Sequence, residues 1–225
     1  MSESDWLALK VTLELSGVTT LVLLVLGTPL AWWLARSRSR FAVVAESIVA
    51  LPLVLPPTVL GFYMLVLLGP KGLVGSTLEA MGLHHLAFTF PGLVVASTLY
   101  SLPFMTQPLK DAFNAVGNRM IEAAATLRAG PWDRFFTVAV PMARRGFLTA
   151  ITLTFAHTVG EFGVVLMVGG NIPDQTRVLS IAIYDHAEAM EYASAHILAG
   201  GLLAASFLML VTVYALNRRY MTVHL

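Results

Sequence analysis

Few side chains in this 225-residue sequence are equipped for chemistry, and the most conspicuous of them sits in the run TVGEFG. There Glu161 follows Gly160, with His157 at the i, i+4 spacing that puts two side chains on one helix face. An ionisable residue inside an apolar segment is a functional candidate, because charge is costly there. Two roles are open to Glu161: bracing a gate by packing, or touching a cargo directly. An anionic cargo favours bracing, since a bare carboxylate would repel it. Glu46 lies within two turns of the basic run RSRSR and reads as snorkelling to the polar boundary.

Other chemistries find little support. No G-x-x-x-x-G-K-[ST] loop and no G-x-G-x-x-G occurs, so nothing in the chain cradles a nucleotide. With no cysteine, disulfides, thiolate metal sites and cysteine nucleophiles are excluded. His84 and His85 are adjacent, face apart on any helix and lack an H-E-x-x-H context, so no metal site is expected. Ser101 and His157 are a nucleophile and a base that no motif joins, and no catalytic residue is assigned. His186, Glu188, Glu191 and His196 read as the solvated face of a polar interval.

A second kind of site is a surface. Arg119 to Pro141, RMIEAAATLRAGPWDRFFTVAVP, is a polar island between long apolar segments. Asn118 can cap a helix start, Ile121 to Leu127 are good helix formers, and Gly130 before Pro131 supplies a stop. That makes roughly three turns, too short and too charged to cross a bilayer. The segment must sit in water beside a membrane and present itself to a partner, with small Ala123 and Ala124 permitting close approach.

The elements that hold these residues are apolar helices. The chain is 57% hydrophobic and 12% charged, with mean hydropathy +0.76, against roughly 25% charged in an average soluble domain. An all-α polytopic membrane protein follows, one transmembrane domain over residues 1–225 with about five spans near 11–34, 41–68, 92–109, 146–168 and 195–216. The first begins amphipathic, and because basic residues follow it rather than precede it, it reads as retained. The second would reach about 42 Å, and Pro52, Pro56 and Pro57 are expected to kink it. Gly69 to Phe90 reads as a loop, and the interval after Val168 as polar with a helical second half.

Orientation follows from the basic residues, since cytoplasmic loops collect Lys and Arg. Arg36, Arg38, Arg40, Lys110, Arg119, Arg128, Arg134, Arg144, Arg145, Arg218 and Arg219 fall on one side, against Lys10, Lys71 and Arg177 on the other. The docking stretch and the C-terminus are therefore expected in the cytoplasm and the N-terminus outside.

Glu122, Ala123 and Ala124, followed at fixed distance by Val138, Ala139, Val140 and Pro141, resemble the EAA loop of ABC importer permeases. LPLVLPPTVLGFYMLVLLG, HTVGEFGVVLMVGGNIPDQTRVLSIAIY and this loop together resemble the permeases of molybdate/tungstate ABC importers. Sulfate and thiosulfate permeases, the runner-up, share GE-[FY]-G and the loop but are less similar at Leu51 to Gly61 and at NIPDQTR. One departure is visible: the family's usual glycine falls on Arg128, with Gly130 two residues later.

The resemblance implies the type I importer permease fold, with 118–141 as a coupling helix that seats in a separate ATPase through Glu122, Ala123, Ala124, Arg128, Gly130 and Pro141. It further implies a homodimer in the inner membrane of a bacterium or archaeon, two ABC ATPase subunits on the cytoplasmic face holding ATP and magnesium, and an extracytoplasmic binding protein delivering a tetrahedral oxyanion. No cofactor in this chain, no enzymatic activity of its own and no nucleic-acid partner are expected. A releasable oxyanion needs hydrogen-bond donors more than bulky cations, and Thr154, Thr158 and Gln107, with Glu161 at a gate, are the candidate path residues. An ATP-independent secondary transporter is the outside alternative, but matching broken helices in two halves are not found in the sequence.

Overall fold

The computed structural model describes the backbone of residues 2–222 and the side chains of residues 2–217, and every element among them is helical. Helix α1 spans Glu3–Arg36. It starts where a capping box forms: the Ser2 Oγ accepts the Asp5 N–H at 3.2 Å, and the Asp5 carboxylate accepts the Ser2 N–H at 2.8 Å. At about 51 Å it outruns the roughly 30 Å of hydrocarbon, an excess that tilt or a turn or more in the polar zone must absorb. The row Ala8, Thr12, Leu15, Thr19, Leu23 and Ala31 is buried against the rest of the protein.

The expected span at 41–68 is two helices, α2 (Arg40–Val54) and α3 (Pro57–Leu68). The ring of Pro57 excludes helical ψ at Pro56, which sits at 136°, so the chain breaks rather than kinks. The expected loop at 69–90 carries a helix, α4 (Leu73–Ala80), and the apolar helical stretch runs from Pro57 to Ala80. The third expected span and the docking helix form a single run, α5 (Phe90–Thr126), broken only at Gly117, whose φ of 72° favours glycine. After it come α6 (Pro131–Arg134), a π-helical turn (Phe135–Ala139), α7 (Val140–Met142), α8 (Arg144–Val159), α9 (Gly163–Gly169), α10 (Leu179–Glu188) and α11 (Tyr192–Thr222).

Among the described residues Glu3–Arg36, Pro57–Ala80 and Tyr192–Asn217 are each long and apolar enough to cross a bilayer, and α8 with α9, bent by 60°, makes a fourth if the pair is one crossing. Helix α5 is not among them because it is the central helix, in contact with α1, α2, α8 and α9. Ser97, Ser101 and Thr106 on it are buried in protein and need not be apolar. Helix α11 is the opposite: Leu203, Phe207, Leu208 and Tyr214 are all exposed, the surface a lipid-facing helix needs. Two apolar clusters anchor the bundle. Leu15, Leu93, Val164 and Ile181 pack at the end that holds the N-terminus, and Leu23, Met105, Phe113 and Ala139 at the end that holds the docking helix.

At the N-terminal end, His186 departs from the expected solvated face, whereas Glu188 and His196 are exposed as expected. Its Nε2 lies 2.9 Å from Oδ1 of buried Asp5 and its Nδ1 2.8 Å from Glu191 Oε2, clasping α10 to the start of α1. Those two carboxylates, Asp5 first, hold the imidazole pKa above its ordinary 6.5. A raised folded pKa means that the stabilisation is complete below 6.5 and is lost as pH rises through the raised value. The melting temperature of the detergent-solubilised protein should therefore fall above neutral pH, by roughly 2–4 °C if the clasp contributes about 1 kcal/mol. His186→Gln should flatten that dependence, and a variant with an unchanged pH profile would show that the clasp is not the titrating element.

Candidate functional site

Helix α8 ends at Val159, and the next three residues turn the chain before α9 begins at Gly163. The break is held from outside: the Ser180 hydroxyl donates to the Glu161 carbonyl at 2.6 Å, and the Phe162 ring packs on Tyr184 at 5.2 Å. The NIPDQTR run positions Ser180. Within it the buried Thr176 hydroxyl donates to the Gly169 carbonyl at 2.6 Å and accepts the Ile172 N–H at 3.0 Å, and Arg177 pairs with Asp185 at 2.9 Å. Gly163 lets α9 approach α3, since a Cβ there would lie 2.9 Å from that of Pro57.

The break sets Glu161 apart from its expected partner. A shared i, i+4 face requires helix through residue 161, and the helix stops at 159, so no hydrogen bond joins His157 to the Glu161 carboxylate. His157 turns to α5 instead: its Nδ1 lies 2.9 Å from the Ser101 Oγ, its ring stacks on Phe104 at 3.9 Å, and Tyr100 sits at 4.8 Å. Glu161 is 3% exposed, and neither carboxylate oxygen has a hydrogen-bond partner. It lies beneath a cavity of about 550 Å3 walled by Pro57, Thr58, Tyr100, His157 and Met167.

The other sequence-predicted path residues are not brought to that cavity. Thr158 is buried in the α5–α8 contact, where its hydroxyl donates to the Thr154 carbonyl at 3.0 Å and meets the Ser101 Oγ at 3.0 Å. Thr154 is fully buried with its hydroxyl unpartnered, and Gln107 is half-buried on α5. Ser101 and His157 do meet, but Ser101 is fully buried and no acid is hydrogen-bonded to His157 among the described residues. The pair lacks the third group that orients a catalytic base. Tyr100, Thr58 and Ser180 were not anticipated, and no local pattern distinguishes them. Glu46, expected to snorkel to the polar boundary, accepts a charge-assisted hydrogen bond from Lys110 of α5.

The docking helix is the last part of α5, beyond Gly117. Buried Ile121 joins Phe113, Val116 and Ala139 in the core, which leaves Glu122 and Ala123 exposed and Ala124 half-buried. Gly130 does not stop this helix; at φ −68° it caps the start of α6. The stop is at Arg128, φ 66°, where the Arg128 N–H donates to the Ala125 carbonyl at 3.0 Å and the Ala129 N–H to that of Ala124 at 3.2 Å. This is the Schellman pattern with arginine in the position glycine prefers. Pro141, exposed, follows the π-helical turn in which the Val140 N–H reaches the Phe135 carbonyl. Arg128→Gly should relieve a left-handed residue costing about 1–2 kcal/mol and slow hydrogen exchange in residues 119–127 several-fold. Faster exchange there would mean that the arginine side chain, and not the backbone turn, secures the helix end.

Comparisons with known proteins bear on both parts of the site. Residues 27–222 match the family model described as binding-protein-dependent transport system inner membrane component. The chain is 62% identical over 218 residues to the molybdenum transport system permease protein ModB of Azotobacter vinelandii, covering 97% of this chain and 96% of that one. It is 31% identical over 213 residues to the sulfate transport system permease protein CysT of Escherichia coli K12, covering 95% and 76%. Among solved structures, a chain of a bacterial alginate ABC transporter, crystallised with an alginate-pentasaccharide-bound periplasmic protein, superposes with a TM-score of 0.79 at 19% identity, over 98% of this chain and 80% of that one. At that identity the likeness speaks for the fold.

Proposed function

Because this chain belongs to the binding-protein-dependent transport system inner membrane components, and among them to the molybdenum transport permeases, we propose that it moves molybdate inward by alternating access, with tungstate as a second cargo. It is a multi-pass inner-membrane permease component of an ABC importer. In this reading two copies form the pathway, two separate ATPase subunits seat on the docking helices, and a binding protein delivers the oxyanion from outside. The observation that carries the reading is the docking helix itself, fixed to the core by Ile121 with Glu122 and Ala123 turned outward. Arg128, Gly130 and Pro141 shape its exit. Glu161 braces the gate at the bend between α8 and α9, Thr154, Thr158 and Gln107 line or support the path, and this reading counts five crossings by taking the bent pair as one and adding α5, the helix at the centre of the bundle.

Sulfate is the weaker reading, since the sulfate permease relative is half as similar as the molybdenum one. Proteoliposomes holding this chain, its ATPase and its binding protein should accumulate labelled molybdate only with ATP, with tungstate competing and excess sulfate not. Equal competition by sulfate would select the runner-up, and accumulation without the ATPase would select a secondary transporter.

The distribution of charge supports an N-terminus outside and a C-terminus inside, although the side chains of Arg218 and Arg219 lie outside the described residues. A reporter active only outside should work when fused at Ser2 or within 170–174 and be silent after Arg134 or Arg219. Activity after Arg134 would overturn the five-crossing arrangement.

A further inference from the structure

We propose that the end of α1 and the root of the docking helix bind one anionic phospholipid of the inner leaflet, its phosphate at Arg36 and Arg38 and an acyl chain along Trp32 and Phe135. The inference rests on the cytoplasmic placement of this end. A polar cavity of about 260 Å3 is lined by Arg36, Arg38, Asn114 and Asn118, together with Phe113 and the hinge residue Gly117. Among the described residues neither arginine has an acidic partner in an ion pair. The Arg36 guanidinium lies 4.7 Å over the Trp32 ring, and that ring also lines a second cavity of about 700 Å3, walled by Val25, Pro29, Trp132, Phe135, Phe136 and Ile151. Trp32 lines the apolar cavity and Phe113 the basic one, and the two rings are in edge contact at 5.1 Å, which brings the two cavities together.

Charge and polarity select the occupant. A free tetrahedral anion satisfies the two arginines and the two asparagine amides but leaves the apolar cavity unused. A neutral lipid fills the apolar cavity and leaves the arginines without a counter-charge. An amphiphile with a phosphate head uses both, and basic pockets between helices at the cytoplasmic boundary are where such head groups bind. Because the head group would bridge α1 to the asparagines on either side of Gly117, its occupancy restrains the angle of the docking helix.

Native mass spectrometry of the purified permease decides the matter, with phosphatidylglycerol, phosphatidylcholine and inorganic phosphate as the probes. Wild type is expected to retain one phosphatidylglycerol at least about tenfold better than phosphatidylcholine. Arg36→Gln with Arg38→Gln should remove that preference. Ile151→Trp, which fills the apolar cavity, should weaken phosphatidylglycerol retention while leaving the arginines untouched. Equal retention of the two lipids, or a preference that survives the double arginine variant, would overturn the proposal. So would displacement of the lipid by millimolar phosphate together with indifference to Ile151→Trp, which would assign a free-anion site. Melting curves of the variants exclude loss through misfolding. Lipid retention does not depend on which face is cytoplasmic, so a failed topology would appear in the reporter fusions and not here.

Discussion

Ala123→Trp should nearly abolish ATP-driven uptake while leaving the permease folded and inserted. Ala123 is exposed and lies beside Glu122 on the outward face of a helix whose inward side is pinned by Ile121, so an indole there meets nothing within this chain. In a fitted ATPase cleft it overpacks. Overpacking a close contact costs roughly 1–3 kcal/mol, about 5- to 150-fold in the docking equilibrium. Ala124→Trp should act in the same direction, but Ala124 is half-buried and its carbonyl takes part in the helix stop, so some of its effect would come from the fold. Ser76→Trp, on exposed α4 at the opposite end, is the control and should be silent. The measurements are ATPase pull-down and uptake in proteoliposomes. Wild-type uptake and wild-type ATPase retention in Ala123→Trp would show that this helix is not the coupling element.

What was legible in the sequence was what local chemistry controls. The docking helix announces itself through its charges and its helix formers, and α11 through a long apolar run that is left exposed on the surface of the chain. Pro56 and Pro57 signalled an interruption, although the strength of the break depends on two adjacent rings and exceeds a kink. The break at Gly117 falls one residue before Asn118, where the sequence placed the start of the docking helix, but nothing local showed that the preceding helix runs on as far as that break. The stop at Arg128 was misplaced to Gly130 because the left-handed position normally belongs to glycine, and here the two hydrogen bonds of the turn hold an arginine in it.

The site itself was least legible where tertiary contacts decide it. Spacing alone put His157 beside Glu161, and the helix end at Val159 separates them. The partner His157 does take, Ser101, lies 56 residues away on α5, and nothing local to either residue encodes that contact. Thr154 and Thr158 were chosen for their hydroxyls, yet the fold directs Thr158 to a backbone carbonyl and to Ser101, as hydroxyls within helices commonly behave.

Glu161→Gln should make the protein more stable and less active, and the opposition of the two effects is the signature of a gate. Both carboxylate oxygens are buried without a hydrogen-bond partner, at a bend that Ser180 secures through the backbone carbonyl and not through the carboxylate. A buried carboxylate without a hydrogen-bond partner costs more to desolvate than a neutral amide of the same shape, so the replacement should stabilise by about 1–3 kcal/mol. In a chain of this size each kcal/mol raises the melting temperature by roughly 2–4 °C. If Glu161 only filled space, the amide would fill it equally well and uptake would not change. Because the residue floors a cavity at the bend between α8 and α9, walled also by α3 and α5, its charge is expected to matter when the bend opens, and Glu161→Gln should cut uptake by at least about tenfold with ATPase binding intact. Lower stability with normal uptake would reveal a hydrogen-bonded structural role and remove Glu161 from the gate.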